Sequence, residues 1–165
     1  MRSYVSLLVT GGGPGAVAVA EIASGFGVDS LVIGHKSGQG PDPDLPAALD
    51  GAAIRTLKHH GVLDVLRPFL VRHEPPTLSP RTFEDALRPH CAADLNVTMY
   101  DDVELTELRR AEGAEGPWQA TISHGKARFA VSAQALIDTS DFPADLSALI
   151  NAAAARLDAL LTAYS

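Results

Sequence analysis

The first hydrophobic segment, residues 3–10, is a continuous apolar run without alternating polar side chains. Strands that are buried on both faces of a parallel sheet have this pattern. Four glycines and a proline follow, and residues 14–25, rich in alanine and valine, predict a short buried helix that stops at a glycine. Residues 29–34 predict a second buried strand. The pattern therefore indicates two parallel strands joined by a helix in a right-handed crossover.

The middle of the chain alternates between predicted loops and predicted helices. Residues 35–46 are rich in glycine, proline and aspartate, which is typical of a loop. Apolar residues recur at helical spacing over residues 47–60, and residues 62–69 predict a second, short helix. A further helix is predicted over residues 79–91, with a serine as its N-cap and a proline in its first turn.

The hydrophobic period changes in the second half of the chain. Closely spaced strands with glycine turns predict an antiparallel meander, with strands near residues 97–108, 118–123 and 128–131. Residues 133–139 return to a buried strand, and an alanine- and leucine-rich helix is predicted over residues 143–164. These elements predict an α/β fold of three layers: a parallel central sheet, helices on both of its faces, and a small antiparallel meander.

Composition and charge narrow the class of protein. The chain has 165 residues, a net charge of −7 and one cysteine. The length suits a single domain, which we expect to span residues 1–165. Because an acidic surface repels nucleic acid and anionic lipid, we expect neither nucleic acid nor a membrane as a partner. The chain starts in an apolar strand, and we expect no apolar run to be long enough to span a bilayer, which predicts a cytoplasmic protein.

The turn between the first strand and the first helix has the spacing of a dinucleotide-binding fingerprint. Gly11 permits a tight turn, Gly13 lets the backbone approach a pyrophosphate, and Ala16 has the position of the third glycine, where the helix packs on the strand. Pro14 and Gly15 lie between them, at the start of a helix whose dipole favours a diphosphate. A glycine turn with this spacing, placed between a buried strand and a helix and followed by a second buried strand, favours a nucleotide site. A glycine-rich turn without a ligand stays open as the alternative.

The end of the second strand lacks the acidic residue that usually holds the ribose hydroxyls. Gly34 has that position, followed by His35 and Lys36. Three interpretations stay open. The ribose is held by backbone or by the loop after Ser37, the two basic residues meet a 2′-phosphate as in NADP enzymes, or both are exposed loop residues.

Several segments together resemble the FAD-binding part of glutathione-reductase-type flavoproteins, most closely the branch that includes aromatic-ring monooxygenases. They are residues 8–14, 81–90 and 133–141. The resemblance covers nearly the whole chain. It implies a Rossmann-like FAD/NAD(P)-binding fold, FAD as the cofactor, and contact between the adenine and the backbone at Val103.

The segment 133–141 is similar to the second signature of the same family. The resemblance implies that Asp138 or Asp141 lies near the ribityl–diphosphate part of FAD. The match is imperfect, because Ser140 and Asp141 stand where the family has a small residue and a glycine. The resemblance also implies a missing substrate domain, since members of the family are more than twice this length.

Two functional hypotheses follow. In the first, the chain is the FAD-binding subunit of a split flavin-dependent oxidoreductase, holds the diphosphate at the Gly11–Ala16 turn, and obtains its substrate site from a partner chain. In the second, it is a non-catalytic accessory or scaffold protein that kept the fold and lost the flavin. A protein partner or a homo-oligomer is expected in both, and a stand-alone NADP-dependent reductase is a third option.

Other residue patterns do not indicate a catalytic or metal site. His59 and His60 are adjacent on a predicted helix and point in different directions, so we expect no metal ligation there. Cys91 has no orienting partner in the sequence, which favours a structural cysteine. The broad apolar face of the last helix favours burial against the sheet, with a docking surface for a partner as the alternative. No residue is a persuasive acid–base catalyst.

Overall fold

The structure is a computed structural model and describes residues 4–34, 43–110 and 116–163. Strands and helices alternate over the first part of these ranges, and three long strands precede the last helix. The elements are β1 (Tyr4–Thr10), α1 (Gly13–Gly25), β2 (Ser30–Ile33), β3 (Ala47–Ala48), α2 (Gly51–His59), α3 (Val62–Leu66), a 3₁₀ turn (Arg67–Phe69), β4 (Arg72–His73), β5 (Pro76–Leu78), α4 (Pro80–Ala93), β6 (Val97–Tyr100), β7 (Glu104–Arg110), β8 (Trp118–His124), β9 (Ala127–Asp138) and α5 (Leu146–Ala163).

The main sheet has six strands in the order β6-β2-β1-β9-β8-β7. The pairs β6–β2, β2–β1 and β1–β9 are parallel, while β9–β8 and β8–β7 are antiparallel. The carboxyl ends of β2, β1 and β9 therefore meet at one edge, with Thr10 of β1 opposite Asp138 of β9. This confirms the predicted α/β class with a mostly parallel central sheet.

The strand β9 corrects the prediction of two separate strands at 128–131 and 133–139. It runs unbroken from Ala127 to Asp138, because no glycine or proline interrupts it. Its first part pairs with β8 as far as Ala133, and its second part pairs with β1 from Ser132 onward. One strand therefore links the meander directly to the parallel sheet.

The two faces of the parallel sheet are covered by different layers. Leu7 and Val9 of β1 pack in a core with the α-helices of the described ranges. Leu8 of β1 and Leu31 of β2 instead pack in a second core with residues of the meander. The expectation of helices on both faces was therefore wrong: the helices share one face, and the meander covers the other.

A small three-stranded sheet, β3-β5-β4, replaces the first residues of the helix predicted over 47–60. Ala47 pairs with Leu78 of β5, and the helix α2 starts only after Asp50. The Asp50 carboxylate caps α2 by accepting a hydrogen bond from the Ala53 amide at 2.8 Å. Because Asp50 is the N-cap, α2 begins at Gly51, four residues after the predicted start at residue 47.

The last helix, α5, corrects the expectation that no segment is long enough to cross a membrane. Among the helices of the described ranges, α5 has the length and the apolar composition that a membrane-spanning helix needs. Ile150, Ala153 and Leu157 on one of its faces are buried in the core that contains α1 and α2. Burial of this kind is typical of a helix that packs one apolar face against the core of a globular protein.

Candidate dinucleotide site

A cavity lies at the carboxyl edge of the parallel sheet, between the β1–α1 turn and the β9–α5 connection. Its volume is about 360 Å³, which is at the lower end of the range for small-molecule sites. The wall consists of glycine backbone, two hydroxyl side chains, one carboxylate and apolar side chains. The lining residues are Gly11, Gly12, Gly13, Pro14, Gly15, Pro43, Leu45, Ala47, Pro80, Thr139, Ser140, Phe142, Pro143, Ala144, Asp145, Leu146 and Leu149.

The turn itself has a backbone that only glycine adopts readily. Gly11, Gly12 and Gly13 have φ values of 100°, 64° and 73°, in the region that side chains disfavour. The helix α1 begins at Gly13, and no side chain caps it at Gly12. The positive end of the helix dipole therefore faces the cavity, and the first turn of α1 contains no acidic residue.

The turn packs tightly against the β9–α5 connection. A Cβ atom at Gly11 would lie 2.7 Å from both the Ser140 nitrogen and Thr139 Oγ1, and a Cβ atom at Gly15 would lie 3.1 Å from Phe142. Contacts under 3.0 Å force neighbouring atoms to move. The glycine at position 11 is therefore required for packing as well as for the turn.

The Thr139 side chain holds the turn in place and was not predicted from the sequence. Its hydroxyl lies 2.9 Å from the Thr10 carbonyl oxygen and 3.1 Å from the Gly12 carbonyl oxygen, and these two acceptors share its single proton. The Thr139 amide also donates to Thr10. Thr139 is 6% exposed, so water does not compete for these bonds.

Within the described lining, Asp145 is the one ionisable residue. Its carboxylate accepts a hydrogen bond from the Ala148 amide at 3.0 Å, and its carbonyl accepts one from Leu149 at 2.8 Å. Asp145 is thus the N-cap of α5. Three helices have their first residue in the cavity lining: α5 is capped by the Asp145 carboxylate, α4 by the Ser79 hydroxyl, and α1 by no side chain.

The structure brings four of the predicted site residues together at the cavity: Gly11, Gly13, Pro14 and Gly15. Ala16 lies behind them in the helix and is fully buried in the core. Its methyl group packs between α1 and the sheet, at the position that the fingerprint reserves for close packing.

The other predicted site residues lie outside the cavity lining. Asp138 is exposed, and its Oδ1 accepts a hydrogen bond from the Ser140 amide at 3.0 Å, close to Gly11. Asp141 is exposed in the β9–α5 connection. Val103 is 3% exposed and belongs to the core under the meander. His35 lies outside the described residues, and the 2′-phosphate interpretation therefore stays a prediction.

Gly34, at the position of the usual ribose-binding acid, lies directly against the glycine turn. A Cβ atom there would be 2.7 Å from both the nitrogen and the Cα of Gly12. A backbone contact this close leaves no room for a side chain. The missing acid is therefore a packing requirement of this turn, which the sequence alone did not reveal.

Cys91 belongs to a buried polar cluster away from the cavity. Its Sγ donates to Glu21 Oε1 at 3.1 Å, and His90 Nδ1 lies 2.7 Å from the same oxygen. Burial and the neighbouring Glu21 carboxylate raise the pKa of the Cys91 thiol far above its usual value. The thiol therefore stays protonated and is not a nucleophile. In the described ranges, no three His, Cys, Asp or Glu residues are grouped to hold a metal ion.

The fold is similar to that of solved flavin-dependent monooxygenases. The p-nitrophenol 4-monooxygenase PnpA from Pseudomonas putida matches with a TM-score of 0.62 and 17% identity, covering 83% of this chain and 41% of its own. PqsL from Pseudomonas aeruginosa, a probable FAD-dependent monooxygenase, matches with a TM-score of 0.61 and 13% identity over 81% of this chain and 41% of its own. PieE, solved with FAD and substrate, matches with a TM-score of 0.65 and 15% identity over 81% of this chain and 29% of its own.

These similarities extend over less than half of each solved chain. At such identities they show a common fold, a Rossmann-like domain of the kind found in flavin-dependent monooxygenases. No protein-family model and no curated protein matches the sequence. The assignment to the glutathione-reductase-type branch remains a prediction.

Proposed function

We propose that the chain is the FAD-binding subunit of a split flavin-dependent oxidoreductase. The observation that carries the proposal is the cavity beside the uncapped N-terminus of α1, lined by the glycine-rich turn from Gly11 to Gly15. A diphosphate needs backbone amides, a helix dipole and space for its oxygens, and this turn offers all three. The fold shared with FAD-dependent monooxygenases supports the choice of FAD.

The residues of the turn fit a phosphate group. Three consecutive glycines with positive φ form a cradle of backbone, and a Cβ at position 11 would overlap the Ser140 nitrogen and Thr139 Oγ1. Thr139 fixes the path of this cradle through its hydroxyl, and Ser140 adds a second hydroxyl to the wall. When bound, FAD would supply the redox chemistry. The chain's own role would be to bind the diphosphate and to orient the rest of the cofactor along the apolar wall.

We propose that a partner chain supplies the substrate site. The described cavity wall carries no side chain suited to acid–base catalysis, because Asp145 is engaged as a helix cap. The partner can be a different chain or a second copy. We place the complex in the cytoplasm, where a reducing environment suits a free thiol.

The contact between Gly34 and Gly12 favours a second candidate function. Because the usual ribose-binding acid has no room at this position, the chain lacks one contact that dinucleotide sites use. A scaffold protein that kept the fold and lost the flavin would have the same feature. The two candidates differ in one observable property, the binding of FAD.

The test is a titration of the purified full chain with FAD, followed by quenching of flavin fluorescence. Saturable binding with one FAD per chain supports the proposal, and no binding at high micromolar FAD contradicts it and favours the scaffold. Pro14→Glu places a carboxylate in the first turn of α1 beside the proposed phosphates, and Pro14→Gln is its uncharged control. Because two like charges about 4 Å apart near a surface repel by about 4 kcal/mol before solvent screening, we expect Pro14→Glu to weaken FAD at least tenfold more than Pro14→Gln.

A further inference from the structure

The outermost strand of the meander, β7, forms one edge of the main sheet. Among the described strands it comes last in the sheet and pairs with β8 alone. Six of its seven residues are exposed, and Leu105 is half-buried. Such an edge strand presents backbone N–H and C=O groups that a further strand can pair with. From the order of the charges along β7, we propose that two copies of the chain join these strands in antiparallel fashion around a two-fold axis.

The second half of β7 has a regular register with β8. A bulge interrupts the first half, and from Glu107 to Arg110 each residue faces a successive residue of β8. Because successive side chains of a strand point to opposite faces of the sheet, Glu107 and Arg109 share one face. Leu108 lies on the other face, beside the buried Ala120. This stretch therefore offers a second strand a straight edge, with charges on one face and an apolar side chain on the other.

The signs of the charges along β7 match a strand that runs in the opposite direction. The acidic residues Glu104 and Glu107 come first, and the basic residues Arg109 and Arg110 follow. In an antiparallel pair centred on Leu108, Glu107 of each copy faces Arg109 of the other copy. The two-fold axis thus creates two opposite-charge pairs, and cross-strand pairs of this kind stabilise a sheet. Charge complementarity therefore favours a second copy of the chain as the partner of this edge.

The side chain at the centre favours the same register. Leu108 is 37% exposed and would face Leu108 of the second copy, so that pairing removes apolar surface of both side chains from water. A register centred on Glu107 or on Arg109 would instead place two like charges directly opposite each other, which is destabilising. Charge and hydrophobicity therefore select one register, centred on Leu108.

The proposed interface is small, which predicts a weak dimer. Pairing over residues 106–110 buries less surface than the roughly 1,200 Å² at which stable interfaces begin. We therefore expect a dissociation constant on the order of tens of micromolar. Sedimentation velocity of the full chain at concentrations from about 1 to about 300 µM covers this range, and we expect the sedimentation coefficient to rise from that of a monomer towards that of a dimer.

Reversal of the two charges tests the pairing. Glu107→Arg and Arg109→Glu each replace two opposite-charge pairs with two like-charge pairs, so we expect either variant to raise the dissociation constant of the dimer at least about tenfold. The double variant Glu107→Arg/Arg109→Glu has opposite charges again and the original net charge. We expect its dissociation constant to lie within about threefold of that of the original protein. The matched control is Arg128→Glu, a reversal of an exposed charge on β9, which should leave the dissociation constant unchanged.

Cross-linking tests the register. In Leu108→Cys, the two introduced thiols face each other across the axis at a Cα separation of about 4.5–5.5 Å, which a disulfide spans. The control is Glu104→Cys, because the same pairing places its two copies on the order of 25 Å apart. The native Cys91 is buried. We expect oxidation to link Leu108→Cys into a covalent dimer and to leave Glu104→Cys unlinked.

Several results would overturn the inference. They are a monomer over the whole concentration range, a dimer that the single charge reversals do not weaken, and a dimer that the double variant does not restore. Equal cross-linking of the two cysteine variants overturns the register and with it the proposed pairing. The inference is independent of the proposed function, because no residue of β7 is in the described lining of the cavity.

Discussion

Replacing Gly34 with alanine tests the close packing of the glycine turn. The added Cβ would lie 2.7 Å from the nitrogen and the Cα of Gly12, whereas ordinary contacts of a Cβ atom begin at 3.4 Å. Both neighbours are backbone atoms, so no side-chain rotation relieves the overlap and the turn must move. Overpacking of this kind costs about 1–3 kcal/mol of the free energy of unfolding. For a domain of this size, that corresponds to a decrease in Tm of about 3–10 °C.

The matched control is Gly51→Ala, at the first residue of α2. The nearest atom to its Cβ is Nη1 of Arg55 at 3.4 Å, the end of a flexible side chain. Because alanine restricts the unfolded chain and favours the helix, we expect this variant to be as stable as the original protein or up to about 1 kcal/mol more stable. Urea unfolding followed by circular dichroism measures both. A Gly34→Ala protein as stable as Gly51→Ala would refute the packing argument.

Three further predictions follow from single side chains. Thr139→Val should lower the free energy of unfolding by about 1–2 kcal/mol, because the Gly12 carbonyl loses its buried hydrogen-bond donor. Thr139→Ser keeps the hydroxyl and should lower the free energy of unfolding by less. Urea unfolding measures both variants, and equal losses would contradict the role of the hydroxyl. The hydrogen bond from the Ala53 amide lowers the pKa of the Asp50 carboxyl from its usual 3.8. The ionised Asp50 carboxylate therefore stabilises the folded protein fully above pH 3.8, and this stabilisation is lost as the pH falls through the lower pKa of the folded state. Asp50→Asn should therefore show a smaller fall in Tm between pH 7 and pH 3 than the original protein, and an unchanged fall would contradict the assignment. Cys91, buried and protonated, should react with a thiol reagent at least about 100-fold more slowly in the native protein than in denaturant, and equal rates would contradict its burial.

Much of the fold follows from the hydrophobic pattern because buried parallel strands and glycine breaks are local signals. The unit of β1, α1 and β2 was predicted within one or two residues, and so was the start of α4, where Ser79 accepts a hydrogen bond from the Thr82 amide. The continuity of β9 was missed because the chain changes partner strand within it, at Ser132. A change of partner depends on tertiary contacts, and local periodicity does not contain it.

The candidate site was predictable from the sequence only at the glycines, because this residue type indicates a tight turn by itself. Gly11 and Gly13 indicated a tight turn from the sequence alone. The roles of Gly34 and Thr139 depend on contacts with Gly12 across 22 and 127 positions of the chain, and no local pattern specifies such pairs. Thr139 ends the predicted strand 133–139 and lies in the segment that resembles the second family signature, but neither signal indicates its contact with Gly12.

The central claim, a phosphate-bearing flavin at the glycine turn, is tested most directly by the amide resonances of the turn. A titration of the ¹⁵N-labelled full chain with FAD is predicted to shift the resonances of Gly12, Gly13, Gly15 and Ala16 in a saturable manner, with little change at the meander strands β7 and β8. The same titration of Pro14→Glu should need a higher FAD concentration for the same shifts. Saturable shifts at the meander with an unchanged turn, or no shifts at high micromolar FAD, would contradict the account.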